Sequence, residues 1–140
     1  MARLAAASVA VGDALAPLEI SLQRADLVRY AGASGDFNPI HWSDRIAAEV
    51  GLPEVLAHGM LTMGQAARIL TDWAGDPGAV VEYGVKFTRP VPVPDPGQAT
   101  VTVTATVSEL LDGNRAKVAL TVTCNDQAVL GKAQAVVQLG

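Results

Sequence analysis

The second half of the chain alternates between apolar and polar residues. Residues 100–107 read TVTVTATV and alternate strictly, and the larger apolar residues Val118, Leu120 and Val122 again occupy every second position. Successive side chains of a strand point to opposite faces of a sheet, so this period predicts strands with one buried face. The turn residues Asp-Gly-Asn separate the two segments. Two further strands are predicted over 80–87 and 128–139.

The first half of the chain has the apolar spacing of helices. A short apolar segment at 18–21 predicts a strand. Ser21 or a neighbour can cap a helix that runs to about Tyr30, because the apolar residues that follow recur at helical spacing. A second short helix is predicted over 45–50, after a Ser-Asp pair that suits its N-cap.

A third predicted helix is the longest. It begins near His58 and Gly59, runs to about Trp73, and has apolar residues around most of its circumference. Such a helix is expected to be buried centrally. Helices followed by a run of antiparallel strands predict an α+β fold, in which this helix packs against one curled sheet. The length predicts a single domain over residues 1–140.

Composition and charge exclude several classes of protein. Half of the residues are hydrophobic, but no apolar run approaches the roughly 20 residues that span a bilayer, so membrane insertion is not expected. The net charge of -4, without any Lys/Arg cluster, argues against nucleic acid and anionic membranes as partners. Residues 1–13 resemble a signal peptide only faintly, which predicts a cytoplasmic protein with a short leading segment. The single cysteine, Cys124, is expected to be a buried core residue.

The stretch ASGDFNPIH at 33–41 holds the strongest candidate chemistry. Pro39 fixes its own φ and pushes Asn38 toward an extended backbone, so the loop is stiff and holds Asp36 and His41 reproducibly. A carboxylate and an imidazole near one water can remove one proton and deliver another, as addition or elimination of water requires. The alternative is structural, with Asp36 bridging the turn and His41 hydrogen-bonded in the core.

Two other kinds of chemistry fit the sequence poorly. The two histidines and the cysteine lack the H-x-x-x-H or C-x-x-C spacing of metal sites, so no metal is predicted. Ser34 is followed directly by glycine, which misses the spacing of a nucleophile elbow. An acyl-serine mechanism is therefore not predicted.

The start of the third helix adds a candidate oxyanion site. Gly59 lies where that helix begins, so its amide is a free donor with no side chain to block close approach. Such an amide, reinforced by the helix dipole, suits the developing enolate oxygen of a thioester. The structural alternative is a helix start that needs a small residue for packing.

Four stretches of the chain carry a resemblance to a known family. Residues 30–44, YAGASGDFNPIHWSD, resemble the hydratase-2 signature of MaoC-like proteins, the (R)-specific enoyl-thioester hydratases and (3R)-hydroxyacyl-thioester dehydratases. LAHGMLTMG at 56–64, WAGDPGAV at 73–80 and VKFTRPVPVPD at 85–95 match in the same order. The resemblance covers nearly the whole chain, and within the family it is nearest to the catalytic B-subunit type of the actinobacterial (3R)-hydroxyacyl-ACP dehydratases.

The resemblance implies a hot-dog fold, in which an antiparallel sheet wraps around the long helix, and a homodimer or a heterodimer with a related hot-dog subunit. By matching position, Asp36 and His41 would be the catalytic pair acting through one water, and Gly59 would supply the oxyanion amide. No cofactor is expected. The residues expected to order the loop or contact the substrate are Asn38, Ser34 and His58.

The predicted activity is that of a hydro-lyase of fatty acid metabolism, which hydrates a trans-2-enoyl thioester of CoA or of acyl carrier protein (ACP). One alternative is a hot-dog subunit that is active only with a partner, or that shapes the partner's acyl tunnel. An acyl-thioesterase is a weaker alternative. Related homodimeric hydratases carry a serine in the long helix near the catalytic pair, and matching from the HGM motif places Ala67 at that position. The polar residue that would join Asp36 and His41 as a third contact is therefore not identified.

The sequence does not distinguish CoA from ACP as the carrier. Four basic residues could each meet an acidic carrier protein, although lone basic residues usually lie on the solvated surface. They are Arg45, Arg68, Lys86 and Arg89.

Overall fold

Five antiparallel strands form one sheet, against which the helices pack. The structure is a computed structural model and describes residues 2–140. The strands are β1 (Leu18–Leu22), β2 (Val80–Phe87), β3 (Ala99–Leu111), β4 (Arg115–Cys124) and β5 (Gln127–Gln138). The α-helices are α1 (Arg24–Ser34), α2 (Asp44–Glu49), α3 (Gly59–Ala66) and α4 (Arg68–Ala74). Short 3-10 helices cover Ala6–Ser8, Pro39–His41 and Pro77–Ala79. The sheet order is β1-β3-β4-β5-β2, which leaves β1 and β2 at its edges.

Alternation along the strands places one face of the sheet in the core. In β3, every second residue from Val101 to Val107 is buried, whereas the three threonines between them lie on the other face. Val103 pairs with Val122 of β4, which is also buried. Burial of each such side chain contributes about 1.5–3 kcal/mol. All of the predicted strands are present, and the α+β class predicted from the sequence agrees with this architecture.

The long third helix of the prediction is divided into two. α3 and α4 meet at Ala67. Its carbonyl accepts from the Leu70 amide at 3.0 Å, which is the tighter turn of a 3-10 helix, and also from the Thr71 amide at 3.2 Å. The prediction of one continuous helix is therefore wrong at this residue. Alanine is the best helix former, so the sequence carries no local signal for the break.

One face of these two helices is buried, and the other is not. The buried residues are Thr62, Ala66, Ile69, Leu70 and Ala74. Met60 is 59% exposed, so the expectation that this helix is buried centrally holds for one of its faces only. β2 is attached to this helix by the hydroxyl of Tyr83, which donates to the Met63 carbonyl at 2.8 Å. Burial raises the pKa of Tyr83 to about 12.

The first two helices begin and end for local reasons. α1 has Gln23 as its N-cap rather than Ser21, because β1 continues through Leu22, and the Gln23 amide donates to Asp26 Oδ2 at 2.8 Å. The helix also continues past Tyr30 to Ser34. The predicted N-cap of α2 is confirmed, since Ser43 Oγ accepts from the Ile46 amide at 3.3 Å.

The segment before α3 joins two distant parts of the chain. The Leu56 amide donates to the Ile40 carbonyl at 3.0 Å, and the Ala57 amide donates to the Val91 carbonyl at 2.9 Å. Residues 55–57 therefore link the loop that contains Asp36 to the proline-rich segment after β2. This link builds the wall of the candidate site.

The predicted leading segment begins at Met1, which lies outside the described residues. Residues 12–15 run beside β3, where the Leu15 amide donates to the Ala105 carbonyl at 2.9 Å and Leu15 is buried. Cys124 is buried in β4, as predicted, and burial raises the pKa of its thiol. Among residues 2–140, the helices are too short or too polar to cross a membrane.

Candidate active site

A cleft of about 700 Å³ lies between the 36–41 loop, the start of α3 and the end of β2. Its lining is mostly apolar and includes the polar residues Asp36, His41, His58 and Arg89. Five of the six predicted site residues line this cleft, namely Ser34, Asp36, His41, His58 and Gly59. The sixth, Asn38, lies in the same loop but is not among the residues that line the cleft.

Asp36 and His41 face each other inside the cleft. Asp36 Oδ2 lies 3.7 Å from His41 Nε2, which is too long for a direct hydrogen bond. The Asp36 side chain is 50% exposed and that of His41 is 10% exposed. The two groups can therefore hold one small ligand between them while the carboxylate stays open to the cleft.

The backbone sets the tautomer of His41. Its Nδ1 lies 2.7 Å from the Leu56 carbonyl oxygen, and a carbonyl can only accept, so Nδ1 carries the proton. In the neutral ring Nε2 then keeps its lone pair, on the side that faces Asp36. His41 is arranged to accept a proton at Nε2.

Three side-chain-to-backbone hydrogen bonds order the loop. Ser34 Oγ accepts from the Asp36 amide at 3.2 Å, Asp36 Oδ1 from the Asn38 amide at 3.1 Å, and Asn38 Oδ1 from the Ile40 amide at 3.2 Å. Each spans two residues, as in turns stabilised by Ser, Asp or Asn. Because Oδ1 of Asp36 is engaged in the loop, Oδ2 is the oxygen presented to His41.

His58 ties this loop to the start of α3. Its ring stacks on that of His41, with centroids 3.8 Å apart and planes inclined by 21°. His58 Nε2 donates to the Asp36 carbonyl oxygen at 3.1 Å. Burial lowers the pKa of His58, and the hydrogen bond to the Asp36 carbonyl opposes that effect only in part. A neutral His58 thus holds the Asp36 backbone in place.

Gly59 is the first residue of α3, so its amide has no acceptor within the helix. A Cβ atom built at this position would lie 2.9 Å from Cε1 of Phe87. A methyl group at this position would therefore displace the Phe87 ring. This packing is compatible with the oxyanion role, because the same lack of a side chain leaves the amide accessible from the cleft.

The titratable groups of the cleft lie close together but fit a metal ion poorly. One ligand atom from each of Asp36, His41 and His58 lies within 4.8 Å of the others. The two rings are stacked, however, so their in-plane lone pairs lie in nearly parallel planes rather than converging on one point as tetrahedral coordination requires. The arrangement fits proton transfer better than metal binding.

Two residues of the cleft were missed from the sequence. Thr62 is 2% exposed, and its Oγ1 has no hydrogen-bond partner among residues 2–140. Tyr30 meets the ring of His58 edge-on, with centroids 4.8 Å apart. The spacing of Thr62 four residues after His58 is the one signal that could have indicated it. Ala67, which matched the position of the family serine, is not among the described residues that line the cleft. Thr62 is the polar side chain that α3 contributes to the cleft lining.

Comparison with known proteins gives a consistent result. The family model described as MaoC like domain matches residues 7–127. The 3-hydroxybutyryl-CoA dehydratase of Methylorubrum extorquens is 34% identical over 115 residues, which are 81% of this chain and 71% of that protein.

Two solved structures are similar over nearly the whole chain. A MaoC-like dehydratase has a TM-score of 0.95 and 38% identity, covering 99% of this chain and 43% of its own. The unliganded R-hydratase PhaJ1 from Pseudomonas aeruginosa has a TM-score of 0.85 and 28% identity, covering 98% of this chain and 86% of its own. These similarities confirm the predicted hot-dog fold, although the chain spans less than half the length of the first of these two structures.

Proposed function

Because the chain belongs to the MaoC-like domain family, we propose that it is an (R)-specific enoyl-thioester hydratase that also catalyses the reverse dehydration of a (3R)-hydroxyacyl thioester. The relatives described above are named dehydratase and hydratase, and both are hydro-lyases, which supports this class of reaction. In this proposal residues 1–140 act as one hot-dog domain in fatty acid metabolism.

One observation carries the proposal: the facing arrangement of Asp36 and His41. In hydration, the oxygen of water bonds to C3 of the enoyl group and one of its protons passes to the pair. The pair returns one proton to C2, so that the sum of the steps adds one water. The unprotonated Nε2 of His41 and the Oδ2 of Asp36 are both positioned as proton acceptors, 3.7 Å apart.

Gly59 supplies the complementary electrostatic contact. As water adds to C3, negative charge develops on the thioester carbonyl oxygen, which becomes enolate-like. A helix-N-terminal amide stabilises such an oxygen, and the removal of one oxyanion donor typically costs about 10²- to 10³-fold in rate. Asn38, Ser34 and His58 act as positioning residues, because their hydrogen bonds hold the backbone and the carboxylate of Asp36.

The hydratase is tested by the loss of ultraviolet absorbance of a conjugated enoyl thioester, with crotonyl-CoA and a long-chain analogue in parallel. Asp36→Asn keeps an oxygen for the Asn38 amide but removes the ionised carboxylate, and we expect a fall in kcat of about 10²- to 10⁴-fold. The matched control is Asp44→Asn, an exposed helix residue paired with Arg24, which should retain activity.

Three outcomes would oppose the proposal. Equal rates for the wild-type chain and Asp36→Asn would remove the carboxylate from the mechanism. A (3S)-hydroxy product would contradict the stereochemical assignment. Release of free thiol without hydration would identify a thioesterase instead.

A second hot-dog subunit is a further part of the proposal. Every residue of the edge strand β2 is exposed or half-buried, and Val81 and Phe87 are 53% and 56% exposed. Unpaired edge strands with exposed apolar side chains are sites of strand addition. Because Phe87 also lines the catalytic cleft, a subunit on this edge would complete the cleft wall.

The oligomeric state can be measured by light scattering of the purified chain. We expect a dimer, or a monomer that becomes active when a related subunit is co-expressed. Val81→Lys should weaken the association, because it places a charge on the apolar edge. A fully active monomer would contradict the need for a second subunit.

A further inference from the structure

Arg89 is the one lysine or arginine among the described residues that line the catalytic cleft. Its Nη1 donates to the Ala128 carbonyl at 3.2 Å, and no ion pair within residues 2–140 includes it. A guanidinium has five N–H donors, so one hydrogen bond leaves most of them for a ligand. A cation of this kind at a substrate cleft is the expected partner of an anionic group.

The other three basic candidates lack this placement. Arg45 is paired with Glu49 of the same helix, at 2.8 Å. Arg68 lines a separate, smaller cavity, and Lys86 is not among the residues that line the catalytic cleft. Of the four cations considered from the sequence, Arg89 alone lies beside the site.

Arg89 lies at the rim of the cleft, and the catalytic pair lies deeper. Arg89 is exposed, whereas His41 is buried. The cleft wall connects the two. Val91, two residues after Arg89, accepts a hydrogen bond from the Ala57 amide. The preceding residue, Leu56, accepts the hydrogen bond that holds His41. A ligand with a reactive group beside His41 and an anionic group further out can therefore contact both.

We propose that Arg89 binds the phosphate of a phosphopantetheine arm. This inference rests on the proposed function, whose substrates carry the acyl thioester at one end of that arm and the phosphate at the other. A thioester held at Gly59 and His41 would direct the phosphate toward the rim of the cleft. The planar guanidinium fork matches phosphate oxygens bidentately, which a lysine ammonium does not.

A purely structural role for Arg89 is the competing explanation, since its guanidinium joins the segment after β2 to β5. That junction is also held without Arg89. The Thr88 hydroxyl donates to the same Ala128 carbonyl at 3.0 Å, and the Thr88 amide donates to the Val129 carbonyl at 3.1 Å. Removal of the guanidinium should therefore leave the local fold intact.

The test uses saturated thioesters, whose binding does not depend on turnover. Calorimetry compares butyryl-4′-phosphopantetheine with butyryl-pantetheine, which differs only in lacking the phosphate, on the full wild-type chain, Arg89→Gln and Arg68→Gln. We expect the wild-type chain to bind the phosphorylated compound about tenfold more tightly, as one charge-assisted contact provides. Arg89→Gln should lose this preference, Arg68→Gln should keep it, and Arg89→Lys should restore part of it.

Two results would overturn the inference. One is the absence of a phosphate preference in the wild-type chain, and the other is an Arg89→Gln variant that weakens both compounds equally. Failure of the hydratase proposal is a separate result, since it would appear as no hydration of crotonyl-pantetheine or crotonyl-CoA by the wild-type chain.

The same comparison with butyryl-CoA and butyryl-ACP separates the two sources of the phosphate. Both assignments require that Arg89→Gln also loses the preference for the phosphorylated pantetheine. If the variant then binds butyryl-CoA more weakly but butyryl-ACP normally, the phosphate site belongs to CoA. If it binds butyryl-ACP more weakly but butyryl-CoA normally, the phosphate site belongs to the arm of the carrier protein. A loss confined to ACP, with the phosphopantetheine preference intact, would replace the phosphate site by a protein contact and overturn the inference.

Discussion

The rings of His41 and His58 stack face to face, with centroids 3.8 Å apart. Each ring is held by a different piece of backbone: His41 Nδ1 donates to the Leu56 carbonyl, and His58 Nε2 donates to the Asp36 carbonyl. A proton added to His58 would place a positive charge directly against His41. The stacked pair is therefore arranged for two neutral rings, and its response to acid can be measured.

His58→Gln should make folding less sensitive to acid. Burial lowers the pKa of His58 from its ordinary value of 6.5, so below that value the unfolded chain binds a proton that the folded chain does not. The stability associated with neutral His58 is present above pH 6.5 and is lost as pH falls toward the lowered, folded-state pKa. Urea unfolding from about pH 7.5 to 5 should show a steeper loss for the wild-type chain than for the variant. Parallel losses would contradict a role for His58.

The rate of hydration should fall on the acid side. The proposed mechanism needs a lone pair on His41 Nε2 and an ionised Asp36, and protonation of either removes a proton acceptor. The measurement is kcat/KM for an enoyl thioester from about pH 5 to 8. A flat profile, under conditions in which chemistry limits the rate, would count against the assignment of this pair.

Thr62→Val should stabilise the protein. The hydroxyl of Thr62 is buried without a partner among residues 2–140, and its replacement by a methyl group of similar shape removes an unsatisfied polar group. The expected gain is about 1 kcal/mol, or a rise in melting temperature of about 3 °C.

Thr71→Val is the matched control for this substitution. Thr71 lies in α4, and its hydroxyl donates to the Arg68 carbonyl at 3.3 Å, so its loss should bring no gain in stability. Destabilisation by Thr62→Val would mean that the Thr62 hydroxyl is satisfied in solution. A loss of activity in a stabilised Thr62→Val variant would place that hydroxyl in contact with the substrate.

Gly59→Ala should lower activity and Gly64→Ala should raise stability, although both glycines lie in α3. A Cβ at Gly64 meets nothing within 4 Å, so alanine should stabilise the helix by about 0.5–1 kcal/mol without affecting activity. At Gly59 the added methyl meets the Phe87 ring at 2.9 Å and crowds the amide proposed to bind the enolate oxygen. We expect a fall in kcat with little loss of stability, because the exposed Phe87 ring can shift. Full activity of Gly59→Ala would contradict the oxyanion role.

Much of the fold could be predicted because its signals are local. Strand alternation is a property of neighbouring residues, and β2 has the predicted bounds of Val80–Phe87. The Ser-Asp pair before α2 likewise acts within one helical turn. The prediction failed at Ala67, whose carbonyl accepts a hydrogen bond of the 3-10 type from the Leu70 amide although neither residue is a helix breaker.

The sequence by itself determined the alternating strands, the stiff loop that carries Asp36 and His41, and the family to which the chain belongs. Only the tertiary structure decided that the Leu56 carbonyl sets the tautomer of His41, that Thr62 is buried unpaired, and that Arg89 is the cation beside the cleft. The physical reason is the range of the interactions. Periodicity and capping act over a few residues, whereas a tautomer, a buried hydroxyl or a cleft depends on groups that folding brings together from distant parts of the chain.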